Sequence, residues 1–243
     1  MSSPSALDTL LWIIIPYLAL AVFILGHIWR YRYDRFGWTT RSSQIYESKL
    51  LRIASPMFHY GIIAVFFGHA VGLGIPKSWT EAVGITDARY HFMAITIGLG
   101  AAIATVGGLA ILIFRRRTNK RVFGATTKLD KLMYFMLALV ILAGTYSTIV
   151  ESALGHYDYR EGISVWFRQF WAFQPDAGLM AAAPPGFQVH VMAAILLFAL
   201  WPFTRLVHVF TVPLGYVTRP YIVYRSKDEI RQPQRRGWEK IDF

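Results

Sequence analysis

The chain contains no cysteine. That excludes disulfides, thiolate-ligated iron–sulfur clusters and the C-x-x-C-H attachment of a c-type haem. Charge is also scarce. Only 16% of the 243 residues are charged and 55% are hydrophobic, whereas soluble domains carry about a quarter charged residues. Of the two signs, acid is the rarer, with 14 Asp and Glu against 25 Lys and Arg. No basic residue precedes Arg30, so the first apolar run lacks the positive leader of a signal peptide and is read as a retained helix.

What is present is a set of five apolar runs at about residues 9–29, 53–75, 90–114, 132–150 and 183–204, the last continuing as helix to about residue 210. Each is long enough to cross roughly 30 Å of hydrocarbon, which takes about 20 residues. The expected fold is an all-α membrane protein, a five-transmembrane-helix bundle. Arg30, Arg32, Arg35, Arg41, Lys49 and Arg52 lie between spans one and two; Arg115, Arg116, Arg117, Lys120, Arg121, Lys128 and Lys131 lie between spans three and four. A third basic group runs from Arg205 to Lys240, while the opposite side has only Lys77, Arg89, Arg160 and Arg168. The positive-inside rule then puts the N-terminus outside and the C-terminus in the cytoplasm.

The net charge of +11 sits mostly in these juxtamembrane loops, so anionic lipid and a cytoplasmic protein partner account for it without nucleic acid. The connection at 151–182 holds Tyr157, Tyr159, Trp166, Phe167, Phe170, Trp171 and Phe173. Aromatic rings favour the membrane interface, and this segment is expected to lie along it. The expected organisation is a transmembrane domain over 1–218 and a basic cytoplasmic tail over 219–243.

Two of the spans carry paired histidines: His59 and His69 on the second, His190 and His208 at and beyond the fifth. An ionisable side chain in lipid is costly and marks a functional site by default. In the alternating topology His59 and His208 lie towards the cytoplasm, and His69 and His190 towards the outside. Depth therefore pairs His59 with His208 and His69 with His190. Neutral imidazoles paired from two helices suit the two faces of an iron porphyrin, giving two non-covalent b-type haems. The spacing is unequal: ten residues on one helix, about 15 Å of rise, and eighteen on the other, about 27 Å. Tilt, or a bend near Pro202, is required to reconcile them.

A proton-relay transporter is the rival of another class, but relays recruit buried Asp or Glu and the five apolar runs contain none. His27, His91 and His156 are expected to be interfacial. Gly61, Gly68, Gly72 and Gly74 on span two would let a bulky planar group, or another helix, approach the backbone. Arg205 is placed to meet haem propionates or to anchor the helix end.

FHYGIIAVFFGH from Phe58, FALWPFTRLVHVFTVPLGYVTRPY from Phe198 and the Ser42-Ser43-Gln44 stretch resemble the cytochrome b (gamma) subunit of respiratory nitrate reductase, over nearly the whole chain to about residue 226. The resemblance implies a bundle holding two b haems, His59 and His208 ligating the cytoplasmic one and His69 and His190 the outer one. It also implies quinol oxidation beside the outer haem, with electrons passing to an iron–sulfur subunit and then a molybdenum-cofactor catalytic subunit at a bacterial or archaeal cell membrane. Gly68 and His69 would then form the haem side of the quinol site. Arg89 resembles a basic position near the quinol that is Lys in some members, and Tyr31, on the other side, fits that role less well. Related di-haem subunits serve formate dehydrogenase and hydrogenase, and remain the nearest alternative.

Overall fold

The computed structural model describes residues 5–38 and 42–211; the expected tail over 219–243 and its boundary lie outside them. All regular elements among the described residues are helical. Five helices are long and apolar enough to cross a membrane: Ala6–Tyr33, Lys49–Gly74, Asp87–Thr118, Lys128–Leu154 and Pro185–Phe203. They are called spans one to five. Span two packs along span three, span five packs on spans one and four, and spans two and five are not a closely packed pair.

Spans one and four begin ahead of their apolar runs because their N-terminal ends are capped. Ser5 and Thr127 each form a reciprocal capping box, with Asp8 and Asp130 three residues on, which satisfies two otherwise orphaned backbone N–H groups. The expectation of acid-free spans is therefore corrected at the helix ends. Asp130 opens span four, and Glu151 falls in its final π-helical turn, Ser147–Leu154. Glu151 is not idle: it accepts from the backbone N–H groups of Gly186 (2.8 Å) and Phe187 (2.9 Å) at the start of span five, where a helix presents unpaired donors and positive potential.

Proline shapes spans one and five. Pro16 has no N–H to offer the Trp12 carbonyl; the helix widens into a π-turn over Leu10–Ile14, and the Trp166 indole N–H donates to that carbonyl at 3.1 Å. Span five does not continue as one helix to residue 210, as expected. It is α-helical to Leu200, tightens to a 3-10 turn over Trp201–Phe203, passes through an extended Thr204 (φ −112°, ψ 179°) and resumes as 3-10 helix over Arg205–Thr211. Pro202 causes the break by withdrawing a donor, and Arg30 stabilises it. The buried Arg30 guanidinium donates to the carbonyls of Pro202 (2.6 Å), Thr204 (3.2 Å) and Gly37 (2.7 Å). Arg115, equally buried, binds Ser43 and Glu47. Two residues counted with the basic loops are thus internal clamps on the side of those loops, hereafter the basic side.

On the far side the 151–182 connection is not simply laid along an interface. Its helices Ile163–Trp171 and Ala177–Ala181 bury Ile163, Trp166, Ala177 and Met180 against Trp12 of span one. Only part of the aromatic set, including Trp171 and Phe173, stays exposed. The segment is a packed cap.

Candidate functional site

The structure brings the four intramembrane histidines together in two pairs. The rings of His59 and His208 have centroids 6.1 Å apart and planes at 72°; those of His69 and His190 are 6.0 Å apart at 43°. His69 and His190 bridge spans two and five, which are not a closely packed pair, and His59 and His208 bridge span two and the 3-10 segment beyond span five. The break at Thr204 carries His208 to His59 despite the unequal spacing along the two helices.

All four rings are held in one way. The Nδ1 of His59 lies 2.7 Å from the Ser55 carbonyl, that of His69 2.8 Å from Val65, that of His190 3.0 Å from Val140 and that of His208 2.6 Å from Arg205. A carbonyl only accepts, so Nδ1 carries the proton and donates it. The neutral ring then keeps its lone pair on Nε2, the tautomer a metal needs, with the backbone bond acting as the outer support that fixes ring orientation. Two imidazoles bound on opposite sides of one metal ion at about 2 Å each set their centroids roughly 6 Å apart. The donor chemistry and both separations fit a bis-histidine haem iron.

His190 depends on a glycine the sequence did not single out. A Cβ added at Gly144 of span four would lie 2.7 Å from Cε1 and 3.0 Å from Nδ1 of the His190 ring. Without a side chain there, the ring reaches across to the Val140 carbonyl on the same helix. Gly144→Ala is expected to displace that ring and weaken the binding of any haem held between His69 and His190, without effect at the His59–His208 pair; an optical spectrum of the purified variant checks this. Nothing local marks Gly144, because its partner is 46 residues away.

The other expected residues sort as follows. Gly68 meets no atom within 4 Å and is exposed beside His69, and Gly74 is also open, whereas Gly61 presses on Thr105 of span three and Gly72 on the Tyr159 hydroxyl. Gly61 is thus a helix-packing glycine. Arg89 is exposed in the first turns of span three. Arg205 donates from Nε to Asp130 at 2.8 Å, both side chains being nearly covered, so a protein carboxylate is its first partner. That carboxylate was missed, although the T-x-x-D capping spacing from Thr127 is a readable signal. Tyr31 stands edge-on to Trp38 at 5.7 Å. His27 donates to the Phe23 carbonyl at 2.6 Å among Phe23, Trp38 and Phe210, and is more enclosed than an interfacial residue. His91 and His156 line a far-side cavity of about 250 Å³ with Asp87, Tyr90 and Arg160.

Comparison with known proteins gives a consistent picture. The profile of the nitrate reductase gamma subunit family matches residues 8–227. The chain is 54% identical over 233 residues, 94% of its length, to the nitrate reductase-like protein NarX of Mycobacterium tuberculosis, of which it spans 36%. It is 44% identical to the nitrate reductase gamma chain of Bacillus subtilis, covering 90% of this chain and 98% of that one. With the respiratory nitrate reductase 2 gamma chain of Escherichia coli it shares 34% identity over 91% of this chain and 98% of the other.

Proposed function

Because this chain belongs to the nitrate reductase gamma subunit family, we propose that it is the membrane electron-transfer subunit of a quinol:nitrate oxidoreductase complex. It holds two b-type haems, oxidises quinol near the outer face and delivers electrons to a cytoplasmic iron–sulfur subunit, which feeds a molybdenum-cofactor subunit where nitrate is reduced. The observation that carries this reading is the common state of the four histidines: every Nδ1 is engaged by a backbone carbonyl, and the rings stand in pairs with centroids about 6 Å apart.

In this reading His59 and His208 ligate the inner haem and His69 and His190 the outer one. Bound there, each haem supplies a one-electron carrier cycling between ferric and ferrous iron. The basic side faces the cytoplasm, following the positive-inside rule. Arg205, shared with Asp130, is the proposed contact to an inner propionate.

The quinol site is proposed where Gly68 leaves space beside His69, among the exposed rings of Phe66 and Phe67, an apolar surface open to lipid. His69 is not the base for quinol. Its Nδ1 proton is held by Val65 and its Nε2 is assigned to iron. Arg89 is not a base either, because guanidinium stays protonated; it donates a hydrogen bond that orients a quinol oxygen. The two quinol protons pass to water at the outer face. Replacing Arg89 with alanine is expected to raise the KM for quinol several-fold with both haem spectra intact; steady-state kinetics with unchanged KM would reduce Arg89 to an interfacial anchor.

The complex assignment is tested by purifying the chain from membranes with its partners and measuring haem, iron and molybdenum. The expected result is two b haems with molybdenum and non-haem iron in the co-purified subunits. A nickel-containing partner would assign the chain to a hydrogenase instead.

A further inference from the structure

Quinol gives up two protons with its two electrons, and the slot proposed for it is apolar. Gly68 lies open there among the exposed rings of Phe66 and Phe67, and neither ring accepts a proton. Hydroxyls begin one helical turn further towards the far side. Gly72 follows Gly68 by four residues, on the same face of span two and about 6 Å along it. It is buried, and a Cβ added there would lie 2.8 Å from the Tyr159 hydroxyl and 3.3 Å from that of Tyr90. The two hydroxyls are 3.4 Å apart, and either can donate to the other.

Burial, then the hydrogen bond to Tyr90, raises the Tyr159 phenol and keeps it neutral. A neutral hydroxyl has one proton to give and lone pairs to receive another. It passes a proton on by exchange and is left unchanged. Both tyrosines line the far-side cavity of about 250 Å³, together with Asp87, His91, His156 and Asp158. That volume is enough for several waters. His156 and Asp158 also line a second cavity of about 680 Å³, so the two adjoin.

Span three supplies a second link to the quinol site. Arg89, assigned above to a quinol oxygen, directly precedes Tyr90 and His91. Lys77 holds Asp87 at 2.6 Å and Asp158 at 3.5 Å, so these carboxylates act as fixed charge. Imidazole is the side chain that ordinarily takes up and releases protons near neutral pH, and two of them stand in this lining.

We propose that the cavity is the exit for quinol protons, entered at the Tyr159–Tyr90 hydroxyl pair and left through His91 and His156 to the water outside. This rests on the quinol site assigned above. For each quinol oxidised to quinone, two electrons leave one at a time through the outer haem. The two protons leave the quinol oxygens by the other route. Each is taken up at a tyrosine hydroxyl as that hydroxyl hands its own proton on, rests on an imidazole and is lost to water. No tyrosine is oxidised and no further reactant is consumed.

Steady-state quinol oxidation by the purified complex tests this. Tyr159→Phe keeps the ring and removes the relay hydroxyl. It is expected to lower kcat about tenfold, less than the roughly hundredfold effect of a direct acid–base group, with quinol KM and both haem spectra unchanged. His91→Gln combined with His156→Asn should do the same, and imidazole added to the buffer should restore the rate. Asparagine suits position 156, where the backbone is left-handed at φ 55°. Wild-type kcat in either variant overturns the proposal, as does a raised KM with kcat unmoved, or a lost rate in the histidine variant that imidazole leaves unrestored. If Tyr159→Phe fails to assemble, the histidine variant decides alone. A wild-type complex that holds both haems but oxidises no quinol would instead remove the quinol site itself.

Discussion

Replacing His190 with alanine is expected to remove one of two b-type haem signals and bring quinol oxidation to background, while dithionite still reduces the haem that remains. His69→Ala should give the same phenotype. The expectation follows from the symmetry of the pair, in which each ring is proposed to supply one ligand and each is oriented by its own carbonyl, Val65 or Val140. Losing either leaves the other imidazole opposite nothing, and bis-histidine ligation is gone. The chain should still insert, because neither ring belongs to the apolar clusters built around Trp12 and Met180 or around Leu109 and Met133. Haem spectra and quinol turnover measured on the same preparation separate this outcome from simple misfolding.

The second large effect is expected at Asp130. Its carboxylate pairs with Arg205 at 2.8 Å with both side chains at most 12% exposed, and it also accepts from the Thr127 backbone as half of a capping box. Breaking a buried ion pair costs about 3–5 kcal/mol; the lost cap adds about 1 kcal/mol. The damage is local. Arg205 provides the carbonyl that holds His208, and both lie beyond the break at Thr204. Asp130→Ala should therefore lower inner-haem occupancy and thermal stability while the outer haem persists. Equal loss of both haems would place the role of the pair in the bundle as a whole.

Much of this was legible in the sequence because the bilayer imposes simple rules. Apolar length gave the five spans, and alternating depth paired His59 with His208 and His69 with His190, as the ring positions now do. The illegible parts are long-range or depend on local failure of helix geometry. Eighteen residues between His190 and His208 read as five regular turns, yet Pro202 and Thr204 break the helix, and the clamp that stabilises the break is Arg30, 172 residues from Pro202. Arg30 and Arg115 read only as members of the basic loops because the positive-inside pattern does not distinguish a lipid-facing cation from one that satisfies buried carbonyls. Gly144 cannot be recognised without knowing that the His190 ring lies against it. The aromatic 151–182 segment has the composition of an interfacial belt, but Trp166 finds in Trp12 a carbonyl that Pro16 had left without a partner, and that pairing draws it into a packed cap.

The central claim is that two histidine pairs hold two separate haems. The most direct measurement is the reduced-minus-oxidised spectrum, with redox titration, of four single variants, His59→Ala, His69→Ala, His190→Ala and His208→Ala, beside the wild type. Two b-type components are expected in the wild type, with His59→Ala and His208→Ala losing the same one and His69→Ala and His190→Ala losing the other. A wild-type chain with no b-type signal, or a His69→Ala variant that keeps both components, would contradict it.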